Sequence, residues 1–310
     1  MKKKEGFISS AMVYSFLVVF ILLLFFIMNS YSNNRKLVGS IKNEVKDNTA
    51  TKRSLALYIM NTVEKVYDGD GLYLHNNVWD NGANDGNYRY AGKNPNNYVC
   101  FGSNSNPCPA DNQYRIIGVF DGKVKLIKNG FISNKNWDNN NNFNWDRPST
   151  LNKFLNNKNN GFLSTLGANA DKIALVNWES GGVDNANHTP LEIFTLEKKQ
   201  FTSNSYKIGL MSVSDYGFAA LPGTWGYIVG NSALGYNSKA TDNDWLFSLS
   251  GNIFTITKSN GSPNVFIIDN EGSINGVPAK SQRKIRPVFY LNTDVSFSTG
   301  DGTKEKPFVI

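Results

Sequence analysis

Hydrophobic and polar positions divide the chain into three regimes. From Phe7 to Met28 no residue is charged, and Phe, Leu, Val and Ile dominate. From 31 to 66 apolar residues recur at helical spacing, at Leu37, Ile41 and Val45 and again at Leu55, Ile59, Val63 and Val66. Asp47-Asn48-Thr49 interrupts that pattern. Tyr67-Asp68-Gly69-Asp70-Gly71 then ends it with turn formers. Beyond this point Gly, Asn, Asp and aromatic residues take over, and helical periodicity gives way to short apolar runs.

The first run is long enough to span a bilayer, which takes about 20 apolar residues in helical form. Lys2, Lys3 and Lys4 precede it, while Arg35 and Lys36 follow at a distance, which favours the N-terminus inside. A cleaved signal peptide has a shorter apolar region and a small-x-small site, and Met28-Asn29-Ser30-Tyr31-Ser32 offers none. The pattern therefore predicts a cytoplasmic basic tail at 1–6, a transmembrane helix at 7–28 and a helical stalk at 29–66, the alternative for a helix entering the domain being to pack its apolar stripe on a sheet. An extracellular domain at 67–292 and a C-terminal β tail at 293–310 follow. The expected location is the cytoplasmic membrane, single-pass, with the C-terminal domain outside. The lipid bilayer is then one partner.

Within the domain the apolar runs read mainly as strands. Tyr114–Phe120 and Lys123–Lys128 flank Asp121-Gly122, a strong hairpin signal because both turn residues tolerate positive φ. Lys123, Lys125 and Lys128 mark a face expected to meet water. A short helix should begin at Ser149-Thr150 after Pro148, with Leu151, Phe154 and Leu155 as its buried stripe. A second one falls at 161–166. Ile173–Val176, Lys207–Val213, Ile253–Thr257, Val265–Ile268 and Lys284–Leu291 read as strands, with Pro287 marking a strand start, an edge or a bulge. The fold class is α+β: the N-terminal helix and stalk, then a mainly β domain with short helices and long loops.

Composition narrows the function. The 310 residues carry a formal charge of +7, but Lys and Arg are scattered singly among Asp, Asn and Gly outside the N-terminal run. No basic helix or Arg-rich face exists to follow phosphates, so nucleic acid is not an expected partner. Aromatics make up 13%, enough for a packed core. Cys100 and Cys108 are the two cysteines, separated by turn formers, and read as a disulfide. His75 and His188 lie far apart in loop-like surroundings and read as exposed loop residues, not metal ligands. The Asp68–Gly71 and Asp80–Gly86 stretches read as solvated turns. Neither completes an EF-hand, which leaves a loop calcium open but no cofactor expected. No nucleophile elbow, metal motif or His beside a plausible Ser or Cys partner appears, so catalysis is not expected; an unidentified hydrolase-type activity is the alternative. Trp137, Trp145, Trp225 and Tyr227 sit on loop-like segments and are the candidate ligand-contact residues, since amphipathic aromatics serve binding surfaces well. Leu221-Pro222-Gly223-Thr224-Trp225 is read as a loop.

Two resemblances add to this. Trp245-Leu246-Phe247-Ser248, Val265–Ile268, Asn270-Glu271-Gly272 and Arg286-Pro287-Val288 follow one another in an order that resembles bacterial surface domains of the C-type-lectin-like fold. That fold is shared by formylglycine-generating enzymes and retroelement-diversified variable proteins. The earlier Tyr114–Phe120 hairpin and the Leu151–Leu155 helix fall in the expected places, so the resemblance spans roughly 70–292. It implies a display scaffold without implying a ligand. The enzyme's paired cysteines lie near the C-terminal core, whereas Cys100 and Cys108 sit early. The calcium-dependent sugar motifs of lectins are absent. The residues from Gly300 to Ile310 look like a tail common on surface proteins of low-GC Gram-positive bacteria. At the other end, Lys-rich residues, Gly6-Phe7 and a long apolar run resemble a type IV prepilin, which implies cleavage between Gly6 and Phe7. Ala11 stands where that family usually has Glu. The expected function is a membrane-anchored cell-surface binding or adhesion module for an unknown extracellular protein or glycan. The alternative is a minor pilin or pseudopilin-like filament subunit.

Overall fold

The computed structural model describes residues 54–76, 81–147, 149–184, 187–229, 244–247 and 252–310. Gly6, Phe7, the apolar run 7–28 and the first part of the expected stalk lie outside the described residues. What is described is mostly β, with a few short helices.

The organising element is a hairpin. β4 (Gln113–Phe120) and β5 (Lys123–Lys128) are joined by Asp121 and Gly122, with φ of 48° and 75°. Positive φ at both positions matches the twist of the flanking strands, which is why Asp-Gly is favoured there. β4 pairs with β5 on one edge and with two strands on the other: β2 (Tyr88–Ala91) and β3 (Tyr98–Cys100). Between Ile116 and Gly118 the register shifts, and a Cβ at Gly118 would lie 2.1 Å from the carbonyl oxygen of Tyr88. Only glycine fits that close approach. The sheet extends through β1 (Gly71–Leu74) beyond β2, and through β13 (Val288–Tyr290) and β8 (Ile208–Gly209) beyond β5. β14 (Phe308–Val309) runs parallel to β3, so the last residues complete this sheet.

A second sheet has the order β11 (Ile274–Pro278), β10 (Asn264–Ile268), β9 (Ile253–Ser259), β12 (Gln282–Lys284), β6 (Asn134–Asn136). β7 (Gly182–Val183) pairs with β9. Short helices cover the sheets: α1 (Leu55–Thr62), α2 (Thr150–Asn156), α3 (Phe162–Thr165), α4 (Pro190–Glu197) and α5 (Val213–Gly217). α2 starts as its sequence requires, with the Ser149 hydroxyl accepting the Asn152 N–H.

The expected fold class needs correction. Among the described residues no helix is long and apolar enough to cross a membrane. The part of the expected stalk that is described is no stalk. α1 buries Leu55, Ala56 and Ile59 in the core, its first N–H donates to Val295 O at 2.9 Å, and Tyr58 packs edge-on to Phe297 and Phe308. Its apolar spacing reflects packing within the domain, and Val63–Val66 leaves the helix to approach β1. The single-pass membrane location therefore has no support in the described structure.

Cys100 and Cys108 are joined, with their Cα atoms 5.8 Å apart. Cys100 ends β3 beside the Ile310 N–H, which donates to its carbonyl, so the bond ties the loop to the strand that receives the chain's C-terminus. Closing so short a loop stabilises by about 2.5 kcal/mol through the unfolded chain. Replacing both cysteines with serine should lower the urea-unfolding free energy by that amount with the m-value little changed. No loss would mean the loop is equally restricted without the bond.

Candidate functional site: a charged cleft above a buried polar network

Lys125 lies in the middle of β5, opposite Gly118 on β4 and Tyr290 on β13. The sequence pattern places it in water, but it is 5% exposed. Its ammonium donates to Asp215 Oδ2 at 2.6 Å. Burial alone would lower the Lys125 pKa, but Asp215, Tyr290 and Glu179 outweigh it and hold the side chain charged. The Tyr290 phenol, half-buried beside the pair, is pushed up to about 12, chiefly by desolvation. Lys128, also expected in water, is buried as well.

Asp215 serves two structures at once. It occupies the third position of α5, where its Oδ2 accepts the Ser212 N–H at 2.9 Å while Ser212 Oγ accepts the Asp215 N–H. This reciprocal capping box fixes the start of the helix. The end of α4 meets the same turn. Glu197 accepts the Val213 N–H at 3.0 Å and the hydroxyls of Ser214 and Thr257. Glu197 is 2% exposed, and burial raises its pKa to about 8; those hydroxyls oppose the rise, while Glu179 and Asp215 add to it.

Above this network opens a cleft of about 130 Å³. Arg89 forms one wall, donating to both carboxylate oxygens of Asp85 at 3.1 and 2.8 Å. Burial would raise the Asp85 pKa, but Arg89 holds it down at about 2. The Arg89 guanidinium also stacks over Phe120, 4.7 Å from the ring centre. Trp178, whose indole N–H donates to Tyr206 O, packs on Tyr290. At the rim stand Phe201, 48% exposed, and Lys198, whose ammonium lies 4.8 Å from the Phe194 ring centre. Glu179 pairs through its backbone with Phe201, and its carboxyl lines the cleft. Burial raises its pKa, Lys125 lowers it, and Asp215 raises it, with a net upward shift. Among the described residues no group hydrogen-bonds this carboxyl.

The expected contact residues lie elsewhere. Trp137, Trp145 and Trp225 are 0%, 1% and 0% exposed, so none presents a surface to a ligand. Trp137 and Trp145 pack edge-on at 5.0 Å in the main core. Trp225 follows the 3₁₀ turn at Pro222–Thr224 and anchors a second cluster, with Phe218 at 5.4 Å and His75 at 4.5 Å. Tyr227 is 36% exposed. His75, expected on an exposed loop, is fully buried; burial, then Arg89, lowers its pKa well below the ordinary value, against a smaller opposing effect of Asp85. Among the described residues no group of three or more His, Cys, Asp or Glu is placed to hold a metal ion. Asp70 instead accepts the N–H groups of Lys93 and Asn94. The sequence reading missed Lys125, Asp215, Glu179 and Glu197. One signal was present: Ser212-x-x-Asp215 and Thr189-x-x-Glu192 both have capping-box spacing ahead of apolar residues, and the structure forms both boxes.

No family model, no curated protein and no solved structure matches this chain.

Glu197 makes stability depend on pH in a definite direction. The unfolded side chain ionises near pH 4.3, whereas the folded one stays protonated to about 8. The folded state thus binds the extra proton between those values, and stability falls as pH rises through that window. Glu197→Gln removes this dependence. Relative to wild type, its unfolding free energy should rise by on the order of 4 kcal/mol between pH 5 and pH 8, read from urea curves. A pH-independent difference would show that Glu197 is ionised in the folded protein.

Proposed function

We propose that the protein is a non-catalytic binding module, and that the cleft between β5, α5 and the Trp178–Phe201 region receives one small polar group of a protein or glycan ligand. Glu179 carries this reading. Its neighbours Asp85, Asp215 and Glu197 each have partners inside the protein, whereas its carboxyl lines the cleft with none among the described residues. A half-buried carboxyl in that state has only water for a partner and is open to a donor that arrives from outside. Phe201, exposed beside it, supplies an apolar contact.

The size and charge of the cleft support the same reading. At about 130 Å³ it falls below the roughly 300–1,000 Å³ of pockets that engulf a drug-sized molecule, so it suits a single group. Asp85, Asp121, Glu179 and Asp215 balance Arg89, Lys123, Lys125 and Lys198, which favours an uncharged or zwitterionic group. Lys125 is held charged and pinned to Asp215, an arrangement suited to positioning rather than nucleophilic attack. The resemblance to C-type-lectin-like display domains is consistent with a scaffold that binds through loops.

Titrating a panel of free monosaccharides and amino acids while recording amide and indole NMR spectra tests this. The expected outcome is a ligand-dependent shift of the Trp178 indole and the Phe201 amide. Glu179→Gln should bind that ligand about tenfold more weakly, the usual loss for a hydrogen bond to a charged group. Wild-type affinity in Glu179→Gln, or no response from any member of the panel, would contradict the proposal.

A further inference from the structure

A second cavity shares no lining residue with the charged cleft and has a different chemistry. Its volume is about 550 Å³, within the range of about 300–1,000 Å³ typical of small-molecule sites. Phe131, Phe154, Phe162 and Leu166 give it apolar walls. Asp111, Asn112, Asn160, Thr165 and Asn169 add polar lining, and of the polar side chains only Tyr114 from β4 and Lys128 from β5 are buried.

Both are buried donors with capacity left over. Tyr114 is 1% exposed, and among the described residues nothing hydrogen-bonds its hydroxyl. Lys128 is 6% exposed. Its ammonium donates to the carbonyls of Asp111 and Ala110, at 2.9 and 3.4 Å. An ammonium has three protons. The Asp111 carboxylate stands 3.9 Å away, beyond hydrogen-bond length, on a side chain fully exposed to water. A phenol and a cation therefore remain available side by side on one wall, the ammonium 5.3 Å from the centre of the Tyr114 ring. The Tyr114 hydroxyl opens onto the cavity and is left to water there, and an anionic acceptor could hydrogen-bond both it and the third ammonium proton.

We propose that this cavity binds a small organic acid with an apolar body, its carboxylate held by Tyr114 and Lys128 and its aryl or alkyl part against Phe131, Phe154 and Phe162. The phenylalanine side of the cavity alone would take any hydrophobe. The two donors make the carboxylate the selective feature, since an uncharged analogue of the same shape offers Lys128 no anionic acceptor at hydrogen-bond length, Asp111 standing 3.9 Å away. The burial that lowers the Lys128 pKa is offset when an anion sits beside it.

The test is calorimetric titration of the 310-residue chain with phenylpropionate and, separately, with phenylpropionamide. Phenylpropionate should bind, and the amide should bind about tenfold more weakly or less well still, as expected for losing a charge-assisted hydrogen bond. Tyr114→Phe keeps the ring and the packing and should weaken phenylpropionate by about the same factor. Lys128→Met should abolish the preference for the acid over the amide; should that variant fail to fold, Tyr114→Phe still decides. No binding of phenylpropionate at millimolar concentration, equal binding of acid and amide, or wild-type affinity in Tyr114→Phe would each overturn the assignment.

Discussion

The Lys125–Asp215 ion pair is the interaction on which the rest of the described structure turns. It joins the middle of a central strand to the first turn of α5, residues 90 positions apart in the chain. The same carboxylate oxygen caps the helix, so helix start and sheet are set by one atom. Two charges taken out of water lose much solvation, and only close geometry with further hydrogen bonds offsets that loss. Here Asp215 has the Ser212 N–H as its second donor, and Lys125 has the faces of Phe120, Trp178 and Tyr290 around it. The floor of the charged cleft is the consequence of this arrangement.

Around that pair, the buried ionisable groups pull in opposite directions with pH. Glu197 is stabilised by its proton, and His75 by the absence of one. A neutral His75 beside Arg89 contributes stability that is present above the ordinary histidine pKa and lost as pH falls below it. Glu197 loses its contribution as pH rises. Neither group lines the cleft: His75 lies near Arg89 and Glu197 accepts from Ser214, so both act through the packing behind its charged walls.

Local chemistry made parts of this fold legible in the sequence. Asp121-Gly122 announced the central hairpin because few dipeptides tolerate positive φ twice in succession. Ser149 announced α2 because its hydroxyl competes for the first free N–H groups. What failed was long-range. Alternating lysines on β5 look solvated unless one knows that an aspartate far along the chain will reach Lys125, and nothing local encodes that contact. The tryptophans on loop-like segments looked like contact surface, yet these segments fold over the core and the indoles fill it. Leu55 and Ile59 have the spacing of a free-standing helix because packing on a sheet asks for the same stripe. Ile208 and Val213 read as one strand, but the Ser212 capping box starts a helix at Val213. The carboxyl of Glu179, without a hydrogen-bond partner among the described residues, has no sequence signature at all.

The most direct test of the central claim is a double-mutant cycle on the ion pair. Lys125→Met, Asp215→Asn and the double variant would be unfolded in urea at neutral pH; Asn preserves the cap and removes the charge. Each single change should cost about 3–5 kcal/mol, because it strands a buried charge. The double variant should cost less than the two together, with a coupling of at least about 2 kcal/mol. Additive losses would contradict the account, since they would mean that the sheet and α5 hold their places without this pair.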